Sequence, residues 1–177
     1  MKINAIKKCC MEKNRFIIFK GDAECWISNG DGMWPTDGME IQTGNIQALF
    51  DIPSKKMDSI LVQEMKITDE RMCLEPIPGE EKLTLCGYIY EMGELYSVLQ
   101  DKHDKVWLVN TALLKPAERR NGELRFFLRR GDRGNDLIVG FGDMLAWVIV
   151  APVDADIARG IMYRTRTMAN LPLEGDD

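Results

Sequence analysis

The residues best suited to chemistry are few, and they lie in polar segments. His103 is the only histidine of the chain and is flanked by Asp101 and Asp104. A Ser-His-Asp or Cys-His unit needs its histidine held by packing, with a nucleophile within hydrogen-bonding reach. Because residues 101–104 are all polar, they predict an exposed turn. We therefore interpret His103 as a solvated loop residue.

A second pattern follows the D…E-x-K arrangement of metal-dependent nucleases. In that arrangement carboxylates bind magnesium and a lysine orients the attacking water. The pattern here is Asp69 followed by Glu80-Glu81-Lys82, with Asp69, Glu81 and Lys82 as the candidate residues, but this segment follows Pro78 and Gly79 in a predicted loop rather than on a strand. A metal-dependent nuclease is therefore an alternative only. We predict a non-enzymatic protein with no catalytic residue, metal ligand or cofactor.

The composition indicates a globular protein of a reducing compartment. The chain of 177 residues is 45% apolar and 29% charged, and it has five cysteines without a C-x-x-C pair. These counts argue against a structural zinc site and against a secreted disulfide scaffold. The apolar run from Met144 to Val153 is roughly half as long as a bilayer span. We expect a soluble, cytoplasmic protein with free thiols.

The strongest positive signal for binding is a segment in which arginine and aromatic residues alternate. Residues 102–133 contain nine basic and four acidic residues, although the whole chain has a net charge of −5. Arginines interleaved with aromatic residues can follow a phosphate backbone and stack on bases. A core strand with a charged outer face is the alternative, because side chains alternate on a strand. The residues predicted to contact nucleic acid or an acidic partner are Arg119, Arg120, Arg125, Arg129, Arg130 and Arg133.

Trp34 is a separate candidate, for binding protein. It lies in a predicted turn between Gly32 and Pro35. If it is exposed, it is a candidate anchor, since tryptophan is favoured at interface hot spots. The alternative is that it covers one end of a sheet.

A repeat with an offset of 81 residues organises the elements that must position these residues. Trp26, Asn29 and Pro35 recur as Trp107, Asn110 and Pro116. Each copy predicts a strand, a turn, a strand and then a corner at proline. A chance match is the alternative, since the repeat depends on these identities and one apolar pair, Met33 and Leu114.

The remaining pattern predicts an α+β fold with mostly antiparallel strands and a helix near each end. The halves are residues 1–78 and 79–177, within a single compact unit. Asp154 or Asp156 is expected to cap the last helix, Thr43 a short helix, and Ser54 a turn that runs to Asp58. The predicted helices cover residues 3–13, 45–50 and the segment after 156. The predicted strands cover 16–19, 24–28, 60–67, 71–74, 83–85, 88–90, 96–99, 105–109, 124–129, 137–141 and 144–150.

Three segments resemble small proteins of unknown function encoded by phages and prophages of gut Firmicutes. They are Met1–Lys8, Asp31–Pro35 and Leu49–Pro53. The resemblance implies a phage accessory protein that acts inside a bacterial cell, and it supplies no functional residues. We expect it to inhibit or modulate a bacterial protein or protein–nucleic-acid complex, such as a CRISPR-type nuclease of host defence.

A direct nucleic-acid binder is the alternative from another class. The two β-rich halves are similar in size to the repeats of DNA sliding clamps, although clamps present basic helices rather than a basic hairpin. This hypothesis uses residues 119–133 and the lysines of the first helix, and it predicts binding that weakens steeply with salt.

Overall fold

The computed structural model describes residues 2–21, 24–118, 124–131, 135–142 and 145–169, with side chains as far as residue 165. Arg119, Arg120 and Arg133 lie outside these ranges. The strands are β1 (Arg15–Lys20), β2 (Cys25–Ser28), β3 (Gly32–Pro35), β4 (Leu61–Lys66), β5 (Glu81–Glu91), β6 (Glu94–Gln100), β7 (Val106–Asn110), β8 (Arg125–Arg129), β9 (Leu137–Gly142) and β10 (Leu145–Val150). The α-helices are α1 (Ile3–Glu12), α2 (Ile46–Leu49), α3 (Ser54–Met57) and α4 (Ala155–Ala169), and 3-10 helices cover Thr43–Asn45 and Thr111–Leu113.

These ten strands form one sheet in the order β4-β1-β2-β3-β10-β9-β8-β5-β6-β7. Neighbouring strands are antiparallel, apart from the parallel pair β1 and β4. The predicted α+β class, with mostly antiparallel strands and a helix near each end, is confirmed. β3 pairs with β10 through Met33 and Ile149. The segments 1–78 and 79–177 therefore share one sheet.

The sheet curves until its β7 edge meets the segment that follows β10. The amide of Ala151 donates to the carbonyl of Asp31 beside β3 (2.9 Å), and the amide of Val153 donates to Leu108 on β7 (2.8 Å). Leu99 and Trp107, near one end of the sheet, share a buried cluster with Phe16 near the other. Curvature thus encloses a core to which both segments contribute.

The sequences of β9 and β10 are almost continuously apolar because both faces of these strands are covered. Ile138 and Val148 face the main core, whereas Val139 and Ile149 face a second cluster that contains Trp26. Burial on both faces removes the polar positions that an open antiparallel sheet alternates with apolar ones.

The two tryptophan–asparagine segments begin alike and then diverge. Trp26 lies opposite Phe19 and Trp107 lies opposite Leu99, each in the second strand of a hairpin. Asn29 and Asn110 both accept a backbone N–H from two residues ahead, at 3.0 and 2.9 Å. The chain after Asn29 forms strand β3, whereas the chain after Asn110 forms a 3-10 helix. The likeness is therefore local to the hairpin and its asparagine turn.

Several local predictions are corrected. Residues 71–74 form turns and bends instead of a strand. The reason is that the Asp69 carboxylate accepts the Arg71 amide at 2.9 Å, which starts a turn. The cap at the first short helix is a reciprocal pair between Gln42 and Asn45, not Thr43, and Ser54 makes no capping hydrogen bond.

The last helix begins as predicted. The carboxylate of Asp154 accepts the amides of Asp156 and Ile157, at 2.9 and 3.3 Å, so Asp154 is the capping residue. On this helix Ile161 is buried, whereas Ile157 is largely exposed.

Candidate protein-binding surface

Arg129, predicted to contact nucleic acid, is instead part of the interior. Its side chain is fully buried, and its Nε donates to Glu80 Oε1 at 2.7 Å. Its remaining donors reach the carbonyls of Cys73 (2.9 Å) and Glu75 (2.7 Å), and also that of Arg71. A guanidinium satisfied in this way fixes the 71–75 segment against β8. The prediction for Arg129 is therefore wrong, because tertiary contacts draw its side chain inward.

Arg130 lies at the surface, but acidic residues surround it. Its guanidinium is 2.9 Å from Glu81, 3.5 Å from Asp136 and 3.8 Å from Asp101. The hydrogen bond with Glu81 raises the pKa of Arg130 above its usual value. A cation so surrounded gains little from a phosphate, since its charge is already matched. Arg125, another of the six predicted arginines, has an exposed side chain.

The turn around His103 is organised by a carboxylate that binds backbone. Asp101 Oδ1 accepts the amides of His103 (2.8 Å) and Lys105 (3.0 Å). Burial alone would raise the pKa of Asp101, but these backbone hydrogen bonds, together with nearby positive charge such as that of Arg130, lower it. The same carboxylate therefore shapes a turn, which agrees with a loop role for His103.

Two carboxylates of the nuclease pattern, Asp69 and Glu81, are held in separate ion pairs. Asp69 is clamped by Arg71 through Nε (3.0 Å) and Nη2 (2.7 Å), and the side-chain hydrogen bond is the main cause of its lowered pKa. Glu81 is paired with Arg130. Within the described residues, no group of three or more His, Cys, Asp or Glu side chains could hold a metal ion.

Trp34 does not meet the condition for an anchor. It is fully buried, and its Nε1 donates to the carbonyl of Leu113 at 2.9 Å. This bond joins β3 to the 3-10 helix of the second tryptophan–asparagine segment. The alternative interpretation, that Trp34 covers the sheet, agrees with its burial.

A cleft of about 1120 Å³ lies between β7 and α4. Its charged lining is balanced, with Arg71, Lys105 and Arg159 facing Asp69, Asp136 and Asp154. Arg71 is bound to Asp69, and Arg159 is bound to Asp156. The cleft thus presents no dominant charge to select a ligand.

The exposed apolar side chains concentrate on the hairpin formed by β5 and β6. Its turn, Met92-Gly93, has positive φ at both residues (52° and 83°), which is the conformation of a two-residue type I′ turn. Tyr88, Tyr90 and Leu95 are 59%, 72% and 41% exposed. Tyr90 lies opposite Leu95, and Tyr88 lies two residues away on the same face. We call these three residues the tyrosine face.

The tyrosine face is the continuation of the core side of the sheet. Leu99 lies four residues beyond Leu95 on β6, so the two share a face, and Leu99 is fully buried in the main core. The opposite face of the hairpin is covered, because Ile89 and Tyr96 pack with Ile161 of α4. The hairpin therefore extends a core-type surface outward, where no described element covers it.

The hairpin is held firmly from its covered side. Arg164 of α4 donates to Glu91 at 2.6 Å, and Glu94 accepts from Tyr96 Oη (2.7 Å) and Asn110 Nδ2 (3.2 Å). The hydrogen bond to Glu94 raises the pKa of Tyr96 to about 12. The exposed tyrosines thus stand on a preorganised element, which lowers the cost of binding.

Sequence reasoning missed this surface. The sequence predicts only a strand over residues 88–90, in the second half. The available signal was the pair of tyrosines at alternate positions immediately before the Met92-Gly93 turn, because a hairpin tip has few neighbours to cover them.

Comparisons with known proteins give no match: no family model fits the chain, and no curated protein or solved structure is significantly similar to it. Among the described helices, none is both long and apolar enough to cross a membrane.

Proposed function

We propose that this chain is a non-enzymatic binding protein whose contact surface for another protein is the tyrosine face. The observation that carries the proposal is the exposure of Tyr88 and Tyr90 on the core side of a rigid hairpin. Tyrosine is enriched at interfaces because it buries a large area at a low cost in conformational entropy. A partner that covers these rings would extend the core.

The partner in this proposal is a bacterial protein, or a protein–nucleic-acid complex such as a defence nuclease, in the cytoplasm of a phage host. The resemblance of the opening and of two further segments to phage-encoded proteins supports this context. Residues 21–101, which include the hairpin, contain sixteen acidic and five basic residues. This excess of negative charge favours a partner with a basic surface, such as a groove for nucleic acid.

Direct nucleic-acid binding has less support from the geometry. Arg129 is buried with Glu80, and Arg130 is surrounded by three carboxylates. These contacts remove two of the arginines on which that alternative depended.

The experiment is a pull-down from bacterial lysate with the tagged chain, with and without nuclease treatment. Its key variant is Tyr88→Ser/Tyr90→Ser, and its matched control is Tyr163→Ser, which removes an exposed tyrosine from α4. We expect a protein that survives nuclease treatment, is retained by the control and is lost by the double variant.

Two results would contradict the proposal. Retention that the double variant leaves unchanged would exclude the tyrosine face as the contact surface. Retention that disappears with nuclease would favour direct nucleic-acid binding, and Arg125→Ala would then be the first variant to compare.

A further inference from the structure

Beyond Leu83, strand β5 has one open edge among the described strands. On one side β5 pairs with β6 from Thr84 to Glu91. On the other side β8 pairs only with Glu81, Lys82 and Leu83. The backbone beyond Leu83 therefore presents a sheet edge without a described partner strand, and such edges are templates for another strand.

The tight turn determines which residues present their backbone groups on this edge. A two-residue hairpin turn closes on a hydrogen-bonded pair, here Glu91 and Glu94. Hydrogen-bonded and non-hydrogen-bonded pairs alternate in an antiparallel ladder. Ile89 consequently bonds to β6, whereas Tyr88 and Tyr90 direct their N–H and C=O groups to the open edge.

Between residues 87 and 91 this edge lacks the usual protection against pairing. Natural edge strands are blunted by lysine, proline or inward-pointing charges, but residues 87–90 are Gly-Tyr-Ile-Tyr. The charge of Glu91 is matched by Arg164. A bulge between Leu85 and Gly87 interrupts the strand, so the regular part of the edge runs from 87 to 91.

We propose that this edge pairs with the same edge of a second copy, antiparallel and about a two-fold axis. The axis passes between Ile89 and Ile89 of the second copy. Tyr88 then lies opposite Tyr90 of the second copy, and Gly87 lies opposite Glu91. Each Tyr88–Tyr90 pair exchanges two backbone hydrogen bonds, and the contact is isologous, as in most homodimers.

The alternation of backbone groups selects this register. A slip by one residue places an outward-directed residue opposite an inward-directed one, so the hydrogen bonds are lost. A slip by two residues in either direction shortens the overlap between residues 87–91 of the two copies. The selected register uses the whole of 87–91 and sets Glu91 opposite a glycine, which avoids like charges in direct opposition.

The dimer would join the two tyrosine faces into one continuous surface, because a two-fold axis perpendicular to the sheet keeps equivalent faces on the same side. Self-association does not depend on the proposed function. The dimer can form without the partner, and the partner can bind a monomer.

Sedimentation of the purified full chain tests the dimer. We expect a species with twice the 20.2 kDa mass of one chain. Tyr90→Pro should return it to the monomer, because proline removes the outward N–H; an edge position tolerates proline within the monomer. Tyr90→Val is the matched control, since it removes the ring and keeps the N–H. A monomer for the unaltered chain, or a Tyr90→Pro dimer, would overturn the proposal.

Cross-linking tests the register. The background is Cys86→Ser, which removes the exposed thiol of β5. Ile89→Cys places two cysteines in a non-hydrogen-bonded pair about 4.5 Å apart at Cα, within the range of roughly 4.4–6.8 Å for a disulfide. On oxidation we expect a covalent dimer from Ile89→Cys and none from Tyr88→Cys. The reverse result would reject this register, and no covalent dimer from either variant would reject the paired edge.

A serine substitution separates this inference from the proposed function. Tyr88→Ser/Tyr90→Ser keeps every backbone group of the edge, so the dimer should persist while partner retention is lost. A double variant that is monomeric would show that side chains rather than backbone pairing hold the copies together, which contradicts the inference.

Discussion

The two ends of β5 differ in the burial of their charged and aromatic residues. At the base, residues 80–83, Glu80 is nearly buried in its pair with Arg129 and Glu81 is paired with Arg130. At the tip, residues 87–91, Tyr88 and Tyr90 are largely exposed. One ion pair, between Glu80 and Arg129, lies inside the molecule at one end of the strand, and aromatic rings lie outside it at the other.

The difference shows that neighbours decide burial as much as residue type does. The base is enclosed by β8 and by the 71–75 segment, whose carbonyls satisfy Arg129. A buried ion is tolerated when its partner and its hydrogen bonds are all present. The tip has β6 on one side and α4 on one face, so its other face remains uncovered.

Breaking the buried pair at the base should produce the largest effect. Arg129→Met leaves Glu80 without its partner and three carbonyls without a donor. We expect the free energy of unfolding to fall by about 3–5 kcal/mol, measured by urea denaturation. Lys82→Met, at an exposed position on the same strand, is the control and should change it by less than about 0.5 kcal/mol. An equal effect of both variants would refute the structural role of Arg129.

The Asp101 turn, which also contacts the base through Arg130, should make stability sensitive to acid. The pKa of Asp101 is lowered in the folded chain, so the unfolded chain binds its proton first as the pH falls. The contribution is therefore present above 3.8, the ordinary pKa of aspartate, and is lost as the pH falls towards the lowered value.

Asp101→Asn keeps an oxygen to accept the two amides but does not titrate. We expect a shallower fall of the melting temperature below pH 4 or so. Asp104→Asn, in the same turn, is the control. An unchanged acid slope for Asp101→Asn would show that the lowered pKa does not contribute to folding.

The exposed ion pair at the base should matter much less than the buried one. Arg130→Ala removes a guanidinium that is 41% exposed. We expect a loss of about 0–1 kcal/mol in the free energy of unfolding, because solvent screens such pairs. The loss should shrink as salt is raised from about 0.05 to 0.5 M. A loss as large as that of Arg129→Met would remove the contrast between the two arginines.

Changes at the tip should have the smallest effect on stability. In Tyr88→Ser and Tyr90→Ser, each exposed ring is lost from a surface that no described element covers. We expect a change within about 0.5 kcal/mol per substitution, measured by urea denaturation at dilute protein concentration. A loss of several kcal/mol would mean that the rings are part of the core, and the tyrosine face would no longer be available for a partner.

Much of the fold was predictable because its signals are local. The apolar run of β1, the hairpin around Trp26, the Asn29 turn and the Asp154 cap depend on neighbours within a few residues. The failure at residues 71–74 has a local cause, the turn that Asp69 starts, and a long-range one. The carbonyls of Arg71 and Cys73 bind Arg129, which lies more than fifty residues away.

The candidate site could not be predicted in the same way. Arg125 to Arg130 was the strongest pattern for binding, and the pairing of β8 with β5 instead places Arg129 beside Glu80. The strand at Tyr88 was predictable, but its exposure was not. Exposure depends on where β8 stops pairing and on which face α4 covers.

The sequence by itself determined the α+β class, most strand positions and the turns, because backbone preferences and apolar periodicity act over short distances. The tertiary structure decided which charged residues are enclosed and which aromatic residues remain exposed. Burial depends on contacts between segments far apart in the chain, and these form only when the sheet curves and closes on its core.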